Sequence, residues 1–347
     1  MTPPPEVLAA PASETGPLNT PPFDGADLEL AEKDIFDRAS VKAALADRLT
    51  DDLDGRATRS AVVEILRDAI GTGRAAIEEA FTKHPTAARP ALRAYSFLTD
   101  QIIETVFDIA VTRLHPNPTP TDGERIAILA VGGYGRGEMA PHSDVDLLFL
   151  MPWKVTPWAE SLIESMLYIF WDLHLKIGHS SRTIKDCIRL GKEDYTIRTA
   201  LLEHRFLTGD AALGDELDKK LKRDLFRNTV AEFIEAKLGE RAERHRKQGG
   251  QRYMVEPNVK EGKGGLRDLQ TLYWIGKYLH GVENAAELVR PGLFQQDEYV
   301  RFRDAEAFLM AVRCHLHLTA RRAMDQLTFD MQVEVAARMG YTDKGGR

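Results

Sequence analysis

The sequence predicts a mixed α/β protein, a small strand-bearing core set between two helical stretches. Three patterns carry this. From Asp27 to about Leu114 apolar residues recur at helical spacing: Val62, Ile65, Leu66, Ile70, then Ile77, Ala80, Phe81. Between 125 and 151 two short apolar runs flank a glycine-rich turn, the signature of strand, turn, strand. Beyond Asp210 the periodicity is helical throughout, over 211–248, 266–280, 297–323 and about 330–339.

Taken in order, residues 1–26 hold seven of the chain's 17 prolines and read as a disordered lead-in. Phe97, Leu98, Ile102, Ile103, Val106, Phe107 and Ile109 mark a helix that must stop before Pro116-Asn117-Pro118. Glu160 to about Leu175 is an amphipathic helix with Leu162, Ile163, Met166, Leu167, Phe170 and Trp171 as its apolar stripe. Ile177 to Ile184 reads as a third strand. The segment 194–207, with Ile197, Leu201, Leu202, Phe206 and Leu207, completes a core of modest size. The expected divisions are 27–115 (helical), 116–210 (core) and 211–347 (helical, substrate-binding).

The chemistry concentrates in Val131–Leu150, VGGYGRGEMAPHSDVDLLFL. Alternation along a strand puts Asp144 and Asp146 on one face. Two adjacent carboxylates repel unless a cation lies between them, and hard oxygen donors of this kind suit Mg²⁺ held together with substrate phosphates. Gly132 and Gly133 let backbone N–H groups approach an anion closely. An isolated Asp-x-Asp or Gly-Gly is usually a solvated turn. Here Leu147 to Leu150 make the strand apolar enough to be buried, and buried carboxylates need a partner.

Composition excludes several classes. A net charge of −7 argues against a nucleic-acid binder. No apolar stretch reaches membrane-spanning length, and no signal peptide opens the chain. Cys187 and Cys314 are too few and too distant for a disulfide framework or a zinc site. A cytoplasmic protein is expected.

The glycine pair, short spacer and Asp-x-Asp resemble the nucleotidyltransferase superfamily that includes polymerase β. GGYGRGE followed by SDVDLL closely resembles the uridylyltransferase portion of the bifunctional enzyme that modifies the PII nitrogen-signal protein. Three further blocks extend the likeness from about Phe36 to the end: Gly178-His179-Ser180-Ser181-Arg182-Thr183, the run Leu201–Gly209, and Glu256–Gln270. The resemblance implies a polymerase β-like core with N-terminal helices and an all-helical C-terminal domain. The implied reaction is Mg²⁺-dependent transfer of UMP from UTP to a tyrosine of PII, with release of pyrophosphate. That family also carries a His-Asp phosphohydrolase domain and ligand-sensing domains. No His-Asp dipeptide occurs here and the sequence ends at Gly345-Gly346-Arg347, so the removing and sensing activities are expected to be missing.

In that picture Asp144 and Asp146 hold the metal, and Gly132 and Gly133 present N–H groups to the β- and γ-phosphates. Ser143 donates to a phosphate or shapes its own turn. Arg136 meets phosphate or is an ordinary loop arginine. Glu203 is the preferred third carboxylate, against a helix-face glutamate paired with Arg205 or Arg198; His179 and Asp186 are further candidates. Lys260, Lys263 and Arg267 reach the triphosphate or the acceptor protein, or belong to a glycine turn capping a helix from Leu266. His315-x-His317 is a poor shared metal site, because i and i+2 diverge on a helix. The basic run Lys219–Lys247 reads as a solvated helix face. The rival functions are an adenylyltransferase acting on glutamine synthetase and a non-catalytic module that only binds nucleotide or PII.

Overall fold

The computed structural model describes residues 29–249, 254–282, 284–290 and 292–342. The proline-rich lead-in and the terminal Gly345-Gly346-Arg347 lie outside them. The helical start consists of α1 (Glu32–Ile35), α2 (Arg38–Arg48), α3 (Gly55–Lys83) and α4 (Ala88–Ile109). Asp37 and Asp54 cap α2 and α3 by accepting from Ser40 N at 3.0 Å and Ala57 N at 2.7 Å, satisfying N–H groups that have no helical acceptor. Val62, Leu66, Ile70, Ile77 and Phe81 of α3 pack with Leu92, Leu98, Ile102 and Val106 of α4 in one buried cluster. At Gly73 the backbone of α1 passes so close that a β carbon would lie 2.2 Å from Ile35 O. The last turn before the proline pair is a π turn, Ala110–Leu114.

Four strands follow: β1 (Ala127–Ala130), β2 (Val145–Met151), β3 (Ile177–Thr183) and β4 (Arg205–Gly209), in sheet order β3-β2-β1-β4. β1 is antiparallel to β2 and β4, while β3 runs parallel to β2. The parallel step needs a crossover, supplied by α6 (Pro157–Asp172), which Thr156 caps by accepting from Ala159 N at 3.2 Å. Both faces of the sheet are covered. Ile128, Ala130, Val145, Leu147, Phe149 and Met151 face the cluster built by α3, α4 and α6. Ala127, Leu129, Leu148 and Leu150 face a second cluster with Leu201, Leu213, Leu217 and Leu225. Each such large apolar side chain contributes on the order of 2 kcal/mol on burial.

Two details depart from expectation. Trp171 is 50% exposed; the five other residues of the α6 stripe point into the core. The stretch 194–207 divides into a helix, α8 (Tyr195–Leu202), and strand β4, with α7 (Ile184–Glu193) ahead of it. Beyond β4, the described residues form helices α9 (Ala211–Lys220), α10 (Val230–Lys247), α11 (Leu266–His280), α12 (Gln296–Ala320) and α13 (Phe329–Arg338), with one isolated bridge, Asn258 to Gln326. The expected helix 211–248 is thus interrupted by a π segment, Leu221–Phe226, and by Asn228 at φ 61°. Leu202, Phe233, Trp274 and Tyr278 join α8, α10 and α11 in a small cluster of their own. Among the described residues no helix is long and apolar enough to cross a membrane.

Candidate active site

A cleft of about 680 Å³ opens between the sheet edge and α10–α12. One wall is the glycine turn, labelled α5 (Gly132–Gly135), which leaves β1 directly. Gly132 sits at φ 61°, a left-handed conformation that a side chain would strain. Val131 N donates to Asp146 O at 3.0 Å, which pins the turn to β2. The N–H groups of the first turn have no acceptor within the helix, and Gly132, Gly133 and Tyr134 line the cleft. Beneath the turn, buried Tyr134 donates to Asp100 at 2.6 Å, and Arg205 holds the same carboxylate at 2.8 and 3.0 Å.

Asp144 and Asp146 both line this cleft. Asp146 lies on β2, on the face shared with Leu148, and Asp144 immediately precedes the strand. Burial first, then the charge of Asp144, hold the Asp146 carboxyl above its ordinary range, and Lys260 acts in the opposite sense. Across the parallel pair, Asp146 faces Gly178. A β carbon on Gly178 would lie 2.4 Å from Asp146 Oδ1, so glycine there makes room for the carboxylate. Its Oδ2 lies 3.6 Å from the position of a β carbon on Gly132. The carboxylate therefore sits between the glycine turn and β3, and its oxygens are hard donors of the chemical kind that divalent cations take.

The other expected site residues divide. Glu203 lines the cleft but is buried, and its carboxylate is engaged by Arg136 Nη1 at 2.6 Å and by Trp274 Nε1. Among the described residues no group of three or more His, Cys, Asp or Glu is placed to hold a metal, so Glu203 does not join the aspartate pair as a third ligand. Neither does Asp186, which caps α7 through Thr183; His179 is absent from the cleft lining. Arg136 is likewise committed. Its Nε donates to Glu138 at 2.7 Å, and these two carboxylates keep its guanidinium charged although it is largely shielded from water. Its position is that of a strut beneath the glycine turn, not of a free phosphate ligand. Ser143 Oγ accepts from Ala140 N at 3.1 Å, the turn-shaping alternative.

The block Glu256–Gln270 is held by its own turn. Asn258 Oδ1 accepts from Lys260 N and Glu261 N at 3.0 and 2.7 Å, and Gly262 and Gly265 pass so close to neighbouring carbonyls that no β carbon fits. This fixes Lys260 in the cleft, 4.0 Å from Asp325 Oδ2, with its pKa lowered by burial and by Arg313. Arg267 also lines the cleft, held to Gln270 at 2.9 Å and stacked over Trp274. Lys263 is exposed and lies outside the lining.

Sequence reasoning missed the contribution of α10. Lys237, taken there for part of a solvated face, is buried and lines the cleft, paired to Glu240 at 2.7 Å and lying over Phe233 and Trp274. Arg244 of the same helix lines the cleft and binds Asp268. His315 and His317 diverge as expected, one stacked on Phe81 and bonded to Pro85 O, the other facing Asp325. Cys187 and Cys314 are free and buried, their thiols pushed up to about 12 by burial.

Known proteins resemble the chain over most of its length. Residues 232–347 match the family model of GlnD PII-uridylyltransferase. Residues 26–167, which include the glycine turn and both aspartates, match that of glutamate-ammonia ligase adenylyltransferase. Bifunctional uridylyltransferase/uridylyl-removing enzymes align over most of the chain. That of Ruegeria pomeroyi is 64% identical over 90% of this chain and 34% of its own length. The enzyme of Cereibacter sphaeroides is 59% identical over 97% and 36%, and that of Rhodospirillum rubrum 47% identical over 89% and 33%. The chain thus spans about a third of the length of these curated relatives, and over that segment it is similar to the bifunctional uridylyltransferase/uridylyl-removing enzymes.

Proposed function

We propose that this chain is the nucleotidyl-transferring part of a PII uridylyltransferase, moving UMP from UTP to a tyrosine hydroxyl of the PII protein and releasing pyrophosphate. The observation that carries the reading is the placement of Asp144 and Asp146 in one cleft with the glycine turn and Lys260. In this account residues 116–210 form a polymerase β-like core, flanked by helical regions over 27–115 and 211–347. The protein works in the cytoplasm on a protein substrate.

Asp144 and Asp146 would hold Mg²⁺; when bound, the metal neutralises triphosphate charge and lowers the pKa of the acceptor hydroxyl. The protein's own part is orientation. The N–H groups of Gly132 and Gly133 receive the β- and γ-phosphates, and Lys260 offsets charge on the triphosphate opposite the carboxylates. Arg136, Glu138, Glu203 and Trp274 keep the turn rigid, so that the phosphates meet preorganised donors. Arg267, Lys237 and Arg244 line the far wall, each paired with a carboxylate, Glu261, Glu240 and Asp268. In-line attack by the acceptor oxygen forms a new P–O bond at the α-phosphorus as the bond to pyrophosphate breaks.

The adenylyltransferase reading draws on the match over 26–167. The uridylyl reading is favoured because the far-wall residues of α10, α11 and α12, from Lys237 to Arg313, fall within the PII-uridylyltransferase match. Incubating the chain and Mg²⁺ with α-labelled UTP or ATP, and with PII or glutamine synthetase, separates the readings. Label on PII from UTP alone is the expected result. Label on glutamine synthetase from ATP would establish the rival. UTP binding without transfer to either acceptor would leave a binding module.

A further inference from the structure

A second cavity, of about 200 Å³, lies behind the turn that carries Met139 to Ser143. Its floor is apolar, formed by Ile70, Leu98, Ile102, Val145 and Leu175, with Tyr95 beside them. Its polar lining includes six basic residues, Arg74, His142, His174, Lys176, Arg321 and Arg322, and no aspartate or glutamate. In a chain of net charge −7 such one-signed clustering is not expected of an ordinary surface hollow. Arg321 is answered by Glu78 at 2.8 Å. Among the described residues, Arg74, Lys176 and Arg322 have no carboxylate within salt-bridge distance. His142 lies under the same positive field: burial, then Arg74, His317 and Arg321, hold its pKa down. Arg74, Lys176 and Arg322 are exposed around an apolar floor with no acid among the lining residues, an electrostatic complement to an anion with a small hydrocarbon body.

We infer that this cavity is a binding site for a small organic dianion, a dicarboxylate of a few carbons, distinct from the triphosphate cleft. A single carboxylate would suffice for one arginine; Arg74 and Arg322 with Lys176 match two. The cavity has less than a third of the volume of the main cleft, too little for a nucleoside triphosphate.

The two spaces share Met139, Ser143 and Ala323. A chain of contacts also joins them. His142 N donates to His317 Nδ1 at 3.3 Å, His317 Nε2 meets Asp325 at 3.4 Å, and Asp325 faces Lys260 at 4.0 Å. On the other side, Lys176 O accepts from Val145 N at 2.8 Å, between the two aspartates in sequence. An occupant that draws in Lys176 and His142 therefore acts on the backbone and the cation next to Asp144 and Asp146.

Calorimetric titration of the full chain with succinate, and separately with inorganic phosphate, tests the site. Saturable binding of succinate at one site is expected, weakened about tenfold by Arg322→Gln and further by Arg74→Gln with Arg322→Gln, as loss of charge-assisted contacts dictates. Both side chains are exposed at the rim, so the variants should keep the wild-type melting temperature. Binding should persist in the presence of saturating UTP and in Asp146→Asn. Phosphate binding with equal strength would show a site for any dianion and remove the dicarboxylate assignment. Succinate binding that UTP abolishes, that the arginine variants leave intact, or that is absent at millimolar concentration would overturn the site itself.

Discussion

Asp146 and Gly178 face each other across the parallel strands β2 and β3, and a β carbon at 178 would lie 2.4 Å from the carboxylate oxygen Oδ1. Gly178→Ala must therefore turn Asp146 away from the glycine turn or spread the strands. Misplacing a reacting group by about 1 Å costs roughly 10²-fold in rate. A fall of that order in kcat/KM, with circular dichroism unchanged, is expected. Full activity in the variant would show that the position of the carboxylate does not matter.

Asp146→Asn separates stability from catalysis. Burial and Asp144 raise this carboxyl's pKa, so its ionised form is held at a cost. Removing the charge should abolish transfer while raising the melting temperature of the metal-free protein at pH 7 to 8. The stabilisation should fade as pH falls through the folded-state pKa and the wild-type carboxyl takes up its proton. Differential scanning calorimetry across that pH range checks the sign.

Arg136 and Glu203 form a buried pair, and truncating one partner strands the other's charge. Arg136→Met is expected to cost about 3–5 kcal/mol of stability, read from urea midpoints. A phosphate ligand of the ordinary exposed kind would instead lose activity at unchanged stability.

The two lysines of the Glu256–Gln270 block give opposite expectations. Lys260→Ala should raise the KM for the triphosphate at least tenfold, about 1.4 kcal/mol or more, since it lines the cleft and acts on Asp146. Lys263→Ala, exposed and outside the cleft, should change steady-state kinetics less than twofold.

Glu306 supplies a pH test outside the cleft. Burial first, and Glu138 next, raise its carboxyl to about 7, against the pull of Arg89. The folded state thus binds a proton that the unfolded chain releases near pH 4.5. Its contribution is fully present below that value and is lost as pH rises through 7. The slope approaches about 1.4 kcal/mol per pH unit between the two values. Glu306→Gln should flatten this part of the stability curve, as measured by urea unfolding from pH 5 to 8.

Much of this was legible in the sequence because the signals are local. The strand alternation of Asp144 and Asp146, the helical stripes of α3 and α4, and the start of α11 at Leu266 follow from periodicity and capping. The divided roles of Arg136 and Lys237 were not legible. Whether a cation in a basic run faces water or a cleft depends on which carboxylate or ring the fold brings to it. For Arg136 that partner is Glu203, 67 residues away; for Lys237 it is Trp274 on another helix. Trp171 misled for the same reason, since its place on the α6 stripe ends where the core ends. The importance of Gly178 was hidden because its constraint comes from a strand paired through a crossover.

The central claim, a metal-bound triphosphate on the aspartate pair beneath the glycine turn, is tested most directly by equilibrium binding of UTP with and without Mg²⁺, for wild type and for Asp146→Asn. The expected result is wild-type binding that weakens at least tenfold when Mg²⁺ is withheld, about 1.4 kcal/mol or more, and a variant that responds little to the metal. Equal affinities under all four conditions would contradict it.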